Sequence, residues 1–492
     1  MMNLLRNKYI ALPIAIKASI WFLICNIIQK AIALLTVPII TRMLSTTDYG
    51  IYSIFTSWGN IIIIIATLQL NGGGYYVGMK KYYDDKAQYT SSIGGLMLLC
   101  TTLVLAFFLG FNKLISPITG LSILYTLLMF AWIYSQGGVN LWFTESRYEY
   151  KYHLIVYCTF FTAISTPVLK IVLILFAGNS GGDKALAAIL GYIVPVAIVG
   201  IVAWSSILSK GKTLFIKEYW KFAISFNVPL IAYYLSQQVL NQADRVMIGQ
   251  FDSAGSAGIY SVAYQLASAI AIINSAISSS LDPWQFQAMI KGEFHKASKV
   301  LTLVLSGVTA IHMLVIIVAP EVMRVFAAPE YFDAIYVIPP VTIGILFTFY
   351  NMAFINTEFF FEKNKILSFS SIIAAILNIV LNWIAIPIFG YLAAGYTTAI
   401  CFLANLAFHG FVANHLTKRM ESGRPYNNKV IIVGTCISIA LMFTITALYP
   451  YPLIRYIIIA ICIVLALIFK KRLINTTKYL MEEIRNTKKG DC

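Results

Sequence analysis

Charge is what this sequence has least of. Only 11% of its 492 residues are Asp, Glu, Lys or Arg, while 59% are hydrophobic. Soluble domains carry about 25% charged residues, so a water-soluble chain is excluded. Cysteine chemistry is missing as well. The seven cysteines include no Cys-x-x-Cys pair, and all but Cys492 fall in apolar segments. Cys25, Cys100, Cys158, Cys401, Cys436 and Cys462 therefore read as small apolar residues, and neither a disulfide framework nor a zinc site is supported. The five histidines are scattered and none pairs with another at ligand spacing. No Walker sequence is present, so the chain does not hydrolyse ATP. No loop between apolar segments exceeds roughly 20 residues, which leaves no room for a soluble catalytic domain. No metal site and no cofactor is expected.

Long apolar runs fill the space. A membrane-spanning helix needs about 20 mainly apolar residues, and fourteen segments qualify: 14–41, 50–70, 89–111, 119–143, 154–178, 185–207, 222–248, 258–281, 299–319, 334–356, 365–387, 391–415, 430–449 and 453–469. Alternating ten-residue strands of a β-barrel are not seen. The expected class is an all-α integral membrane protein with about 14 transmembrane helices. The first segment is too long, and holds Lys17 and Lys30, to be a cleaved signal peptide. Pro38, Pro167, Pro195, Pro229 and the pair Pro339-Pro340 fall inside spans, where proline kinks a helix.

Positive charge fixes the expected orientation. With cytoplasmic termini, 27 of the 36 Lys and Arg lie in cytoplasmic segments, and three, Lys113, Lys184 and Arg324, face the other side. The net charge of +16 is spread over short loops, so nucleic acid is not an expected partner. The tail, with Lys470-Lys471-Arg472 and Lys488-Lys489, suits anionic lipid head groups. Asn71-Gly72-Gly73-Gly74 lacks the Lys-Ser/Thr of a phosphate loop and reads as a flexible cytoplasmic hinge.

One stretch is too polar to face lipid on all sides. Ser225–Gln242 carries Asn227, Gln237, Gln238, Asn241 and Gln242, and leads to Asp244-Arg245. Helical spacing lines up Gln237, Asn241 and Asp244, with Gln238, Gln242 and Arg245 beside them. That side must face protein or a water-filled cavity. The stretch also has a twin. Thr41-Arg42-Met43-Leu44 followed by Gly50-Ile51-Tyr52-Ser53 matches Asp244-Arg245-Val246-Met247 followed by Gly258-Ile259-Tyr260-Ser261, with the GIYS motifs 208 residues apart. An internal repeat of roughly six helices follows, as transporters use.

The candidate site residues are intramembrane polar groups. Lys30 stands mid-helix with Asn26 one turn before it, where a lysine facing the bilayer centre costs about 2.5–3.5 kcal/mol. Lys170 can line a cavity or snorkel; Arg42 and Arg245 are gate, ligand or interfacial-anchor positions. Acidic groups within spans are scarce, and Asp244 is the candidate for ion coupling, with Asp282 and Glu358 at cytoplasmic ends. The cavity is thereby cationic and suits an anionic ligand. Tyr233, Tyr234, Tyr260, Tyr264, Trp21 and Trp58 offer aromatic faces for sugar rings or membrane interfaces.

The sequence TRML before DYGIYS, and the later ADRVMIG followed by GIYSVAYQLA, resemble the polysaccharide transporters of the multidrug/oligosaccharidyl-lipid/polysaccharide exporter superfamily, and within it the Wzx-type flippases of O-antigen and capsule repeat units. The resemblance implies two six-helix lobes, residues 1–210 and 211–420, in a V around a central cavity. Two further helices at 421–470 and a basic cytoplasmic tail at 471–492 complete the chain. It implies an undecaprenyl-pyrophosphate-linked oligosaccharide as substrate, moved across the bacterial inner membrane, with polysaccharide polymerase machinery as a further partner. Lys30, Arg42, Lys170 and Arg245 would then hold the pyrophosphate or acidic sugars, and Asn26, Gln237, Asn241 and Gln242 the hydroxyls. The coupling ion stays open. A lipid II-type flippase fits less well because of the DYG…YS loop. A drug/cation antiporter would have twelve helices and an acidic site. A membrane glycan polymerase or transferase would show a long external loop or an acidic cluster.

The orientation is testable. Reporter fusions after residues 215 and 425 are expected to report cytoplasm, and fusions near Asp183 and Gly255 the outside. A cytoplasmic signal at Gly255 would reverse the orientation.

Overall fold

The computed structural model describes residues 13–418 and 423–471, together with 474, 475, 478 and 482. The N-terminal arm and the tail residues Arg472, Lys488 and Lys489 lie outside the described residues. Eleven helices are long and apolar enough to cross a membrane, or twelve if one bent pair counts as a span. The chain is a multi-pass, all-helical membrane protein. Fourteen spans are not reached on those criteria. The helix over the polar stretch (Lys217–Phe251) carries too much polarity, and the last one (Pro452–Ile468) is short, at 17 residues.

The helices gather into two units, dividing between Ser261 and Val262. The first contains α1 (Ile14–Met43), α2 (Thr46–Ala66), α3 (Gly73–Lys81), α4 (Lys86–Gly110), α5 (Asn112–Thr119), α6 (Ile123–Tyr148), α7 (Tyr152–Ser180), α8 (Lys184–Gly211), α9 (Lys217–Phe251) and the opening of α10 (Ala254–Ser268). A capping box starts α2 sharply: the Ser45 side chain accepts from the Asp48 N–H while the Asp48 carboxylate accepts from Ser45, worth about 1 kcal/mol. Helix α8 is the hub, packed against α4, α6 and α7. Its buried Ala187, Ala188, Gly191, Gly200 and Ala203 let neighbouring backbones come close. At Gly191 a Cβ would lie 2.4 Å from Lys170 Cα, so α7 and α8 touch there through backbone.

Several local expectations change. Gly73 and Gly74 form the first turn of α3, and a Cβ on Gly74 would lie 2.6 Å from the Phe226 ring; this is a packed helix start where a flexible hinge was expected. Pro38, Pro167, Pro195 and Pro229 lie inside helices as expected. Pro339 and Pro340 instead open a helix, where the missing N–H has no partner to lose. The span expected at 119–143 begins in an 84° bend between α5 and α6, at the left-handed Gly120.

The second unit contains the rest of α10, α11 (Ile270–Ile290), α12 (Phe294–Ile317), α13 (Ala319–Phe326), a 3-10 turn (Pro329–Tyr336), α14 (Ile338–Phe360), α15 (Asn364–Phe389), α16 (Leu392–Leu416), α17 (Asn428–Ala447) and α18 (Pro452–Ile468). Helix α14 is its centre, packed on α11, α12, α16 and α17. Buried Arg455 ties α18 to α13 through two hydrogen bonds to the Glu321 carboxylate, at 2.7 and 2.8 Å, and to the end of α12 through a third to the Ile317 carbonyl at 3.0 Å. Such forked pairing gives both strength and direction.

Within the first unit the two copies of the repeated motif meet. A Cβ on Gly50 would fall 1.6 Å from the Ala254 carbonyl oxygen, and one on Gly258 would fall 2.1 Å from that of Thr46. Ser53 and Ser261 share a buried hydrogen bond. Thr46, Gly50 and Ser53 are each 208 residues before Ala254, Gly258 and Ser261. The contact is therefore self-complementary, each motif offering the same groups to the other, as across a two-fold axis. Only glycine permits this approach.

Gly50→Ala and Gly258→Ala are each expected to cost roughly 1–3 kcal/mol by overpacking. Gly73→Ala, with open space at its Cβ, serves as the control. Thermal unfolding of the purified protein decides; an unchanged midpoint for Gly50→Ala would show that the crossing can open.

Candidate functional site

Helix α9 lies along α2, and this brings part of the expected site together. Asp244 is buried, 1% exposed, and accepts a hydrogen bond of 2.5 Å from Tyr260 Oη. Arg245, one residue on, turns to a different, half-buried side of α9. Its guanidinium reaches back to the Asn241 carbonyl at 2.6 Å and to Gln242 Oε1 at 3.3 Å. Gln242 Oε1 also accepts from Ser57 on α2 at 3.1 Å. Asn241 is exposed and donates to the Gln237 carbonyl at 2.7 Å. Gln237, Asn241 and Arg245 thus form one continuous polar row, at i, i+4 and i+8. Asp244, expected in that row, instead turns to the α10 side to meet Tyr260, and Arg245 takes its place.

Arg42 repeats the geometry of Arg245. It is exposed, and its guanidinium folds back onto the carbonyl four residues earlier, that of Pro38, at 2.7 Å. Lys30 and Asn26 are exposed one turn apart on α1. Among the described residues, no hydrogen bond or ion pair reaches Lys30.

Lys170 is placed differently. It is 9% exposed, and its ammonium donates to Tyr52 Oη at 2.8 Å. It also lies 4.0 Å from the Tyr52 ring centre and 5.8 Å from that of Tyr192. Tyr192 stacks on Trp132 and meets Tyr52 edge-on, and Tyr52 meets Tyr49 edge-on. Lys170 is thus enclosed by aromatic faces, which stabilise a cation where water is scarce. Tyr49, at the far end of this run, lies within electrostatic reach of Arg245.

The motif tyrosines therefore take partners of opposite sign. Tyr52 accepts from a buried lysine, while Tyr260, its equivalent, donates to a buried aspartate. Helical spacing can place Asp244 and Lys170 on faces, but it cannot pair them across 16 and 118 residues. The repeat itself was the available signal, since it marks both tyrosines. Tyr260 is fully buried on Asp244 and is closed to a sugar ring. Trp58 donates to the Thr119 carbonyl at 3.0 Å and closes the α5 turn. Glu358, read from the sequence only as an acid at a cytoplasmic helix end, lies near the end of α14, 2% exposed and bonded to His409, a partner that sequence reading missed.

Tyr260→Phe leaves Asp244 buried without this donor and is expected to cost about 1–3 kcal/mol. Added to Asp244→Asn, the same change should cost much less. A double-mutant cycle on unfolding checks this, and additive effects would mean that the two groups do not interact.

With this geometry in view, comparison with known proteins is informative. The sequence family described as "Polysaccharide biosynthesis protein" matches residues 15–289, more than half of the chain. The "Lsg locus putative protein 1" of Haemophilus influenzae is 22% identical over 390 residues, covering 74% of this chain and 89% of the relative. Among solved structures, the lipid II flippase MurJ in an inward closed conformation superposes with a TM-score of 0.66 at 14% identity. It covers 93% of this chain and 100% of its own. An inward-facing multidrug resistance MATE family transporter of the MOP superfamily gives 0.58 at 13% identity, covering 80% and 96%. At these identities the likeness is one of fold. The chain belongs to the polysaccharide biosynthesis protein family and is built on the fold that MurJ and the MATE transporters share.

Proposed function

We propose that the protein is a flippase that carries undecaprenyl-pyrophosphate-linked oligosaccharide repeat units across the bacterial inner membrane, in O-antigen or capsule synthesis, with both termini cytoplasmic. The family match supports the glycan, and the fold supports transport. The observation that carries the reading is Lys30: an exposed cation, without a partner among the described residues, in the middle of a 30-residue apolar helix. In lipid such a position is costly; beside a water-filled cleft that admits an anion it is favourable.

The chemistry of the substrate fits such a cleft. A pyrophosphate and a hydrated glycan cannot cross hydrocarbon alone, whereas a prenyl chain can remain in it. The protein then needs only to offer charge and hydrogen bonds to the head while the tail stays in lipid. Lys30, Arg42 and Arg245 are the proposed pyrophosphate contacts, and Asn26, Gln237, Asn241 and Gln242 the hydroxyl contacts. Lys170, enclosed by tyrosines, contributes positive potential from inside the first unit. Alternating access would use the two six-helix repeats, residues 1–210 and 211–420. The basic tail would rest on anionic lipid, and a polysaccharide polymerase would take the delivered repeat unit.

In the native host, Lys30→Ala is expected to abolish surface polysaccharide while the protein still reaches the membrane, and Lys30→Arg to keep part of the activity. Undecaprenyl-linked repeat units should accumulate on the cytoplasmic side. Full complementation by Lys30→Ala would remove the cationic cleft from the reading.

A further inference from the structure

Three side chains from three helices of the second unit form a closed chain. His409 on α16 places Nδ1 at 2.8 and 2.9 Å from the two carboxyl oxygens of Glu358 on α14. Its Nε2 lies 2.8 Å from Ser370 Oγ on α15. Ser370 Oγ is also 3.0 Å from the Leu367 carbonyl oxygen. Glu358, His409 and Ser370 are 2%, 0% and 3% exposed, so no substrate reaches them in this conformation. No Lys or Arg pairs with Glu358 or His409 among the described residues. On the elements around them, Asp282 of α11 is held by Asn356, and His312 of α12 by Val308 and Asn274. Tyr426, ahead of α17, is held by Thr417 and Asn414, with Arg424 nearby.

Counting protons gives this chain two satisfied forms. A serine hydroxyl has one hydrogen to give. When Ser370 gives it to the Leu367 carbonyl, His409 Nε2 must carry a proton and donate it to Ser370 Oγ. The Nδ1 contact with Glu358 then needs one further proton, on the ring or on the carboxyl, and the chain is neutral overall. In the other form the Ser370 hydroxyl turns to Nε2. Nδ1 now carries the ring's only proton and donates it to the Glu358 carboxylate, leaving a net charge of −1. The Leu367 carbonyl is not abandoned, because Ser371 Oγ also donates to it at 2.8 Å. The forms differ by one proton and a hydroxyl rotation, with no heavy atom displaced.

We propose that Glu358, His409 and Ser370 form a proton-binding site whose loading and release drive the transport cycle, with one proton bound in the neutral form. The proposal rests on the flippase reading for the word transport, and on the side-chain geometry alone for the proton. Buried carboxylates and histidines within the helix bundle of a membrane protein characteristically serve as relays of this kind. The unloaded form leaves uncompensated charge in a dry interior, a cost that a change of conformation can relieve. Ser370 is a positioning residue here: it sets which nitrogen of His409 carries the proton.

The test uses the full chain with 15N-labelled histidine in phosphatidylethanolamine/phosphatidylglycerol bilayers, followed by solid-state NMR across about pH 5 to 9. With five histidines, His409 is identified by His409→Gln. Its ring is expected to pass from the Nδ1–H form at high pH to a ring protonated on Nε2 at low pH. Glu358→Gln should abolish that step. Ser370→Ala should lose the high-pH form, and Ser370→Thr, which keeps a hydroxyl, should retain it. In cells, Glu358→Gln should lose the part of surface polysaccharide export that a protonophore removes from the wild type. A His409 ring that keeps one protonation state throughout overturns the site. Wild-type, protonophore-sensitive export by a Glu358→Gln protein that has lost the ring titration overturns the coupling. Surface polysaccharide that survives deletion of the gene overturns the flippase reading and leaves the proton site to be judged by the ring titration.

Discussion

The contact between Gly50 and Gly258 governs the first unit, because it sets how near two helix openings can stand. With a Cβ on either residue the helices would have to separate by more than an ångström, and the groups beyond would part with them. The Ser53–Ser261 bond spans the same crossing and depends on that spacing. Two amino acids without side chains thus determine whether two buried serines can meet. The capping box at Ser45 adds to this by fixing the angle at which α2 enters the crossing.

Most of the architecture was legible in the sequence, since a bilayer leaves few options. Length and apolarity marked the eleven helices apolar enough to span, and a repeated GIYS marked the two motifs that turn out to touch. What stayed hidden has physical reasons. Pro339 and Pro340 look like a kink inside an apolar run, yet hydropathy carries no information on where the first helical hydrogen bond forms. The polarity that singled out α9 is the same property that makes it too polar to read as a span. The Asn71–Gly74 run looks mobile by composition, but Phe226 and Asn227, more than 150 residues away, close over it. Of the candidate site, helical spacing marked the polar side of α9 but assigned Asp244 to the row of Gln237 and Asn241, a place that Arg245 takes instead. The enclosure of Lys170 and the bond from His409 to Glu358 do not follow from spacing, because they join residues distant in sequence.

Four buried ionisable groups in this protein are answered by specific partners from other helices. Asp244 has a phenol, Lys170 a phenol and two ring faces, Glu358 an imidazole, and Arg455 a carboxylate with a backbone carbonyl. Each answer removes a desolvation cost that would otherwise reach several kcal/mol for an isolated charge. Each also differs in what it permits. The Arg455–Glu321 fork has no alternative arrangement and holds α18 in place. The serine–imidazole–carboxyl chain has two, and so a role in motion falls to it and not to the fork.

The self-complementary crossing has a consequence for how its halves can diverge. Between two identical subunits, every substitution enters such an interface twice, so a lysine facing one tyrosine would also face the other. Here both copies of the motif lie on one polypeptide, and each can change alone. That freedom is visible in Tyr52 and Tyr260, which keep equivalent backbone positions while one answers a cation and the other an anion. A symmetric frame thereby carries a basic partner at one motif and an acidic partner at the other, which no assembly of two identical halves could hold.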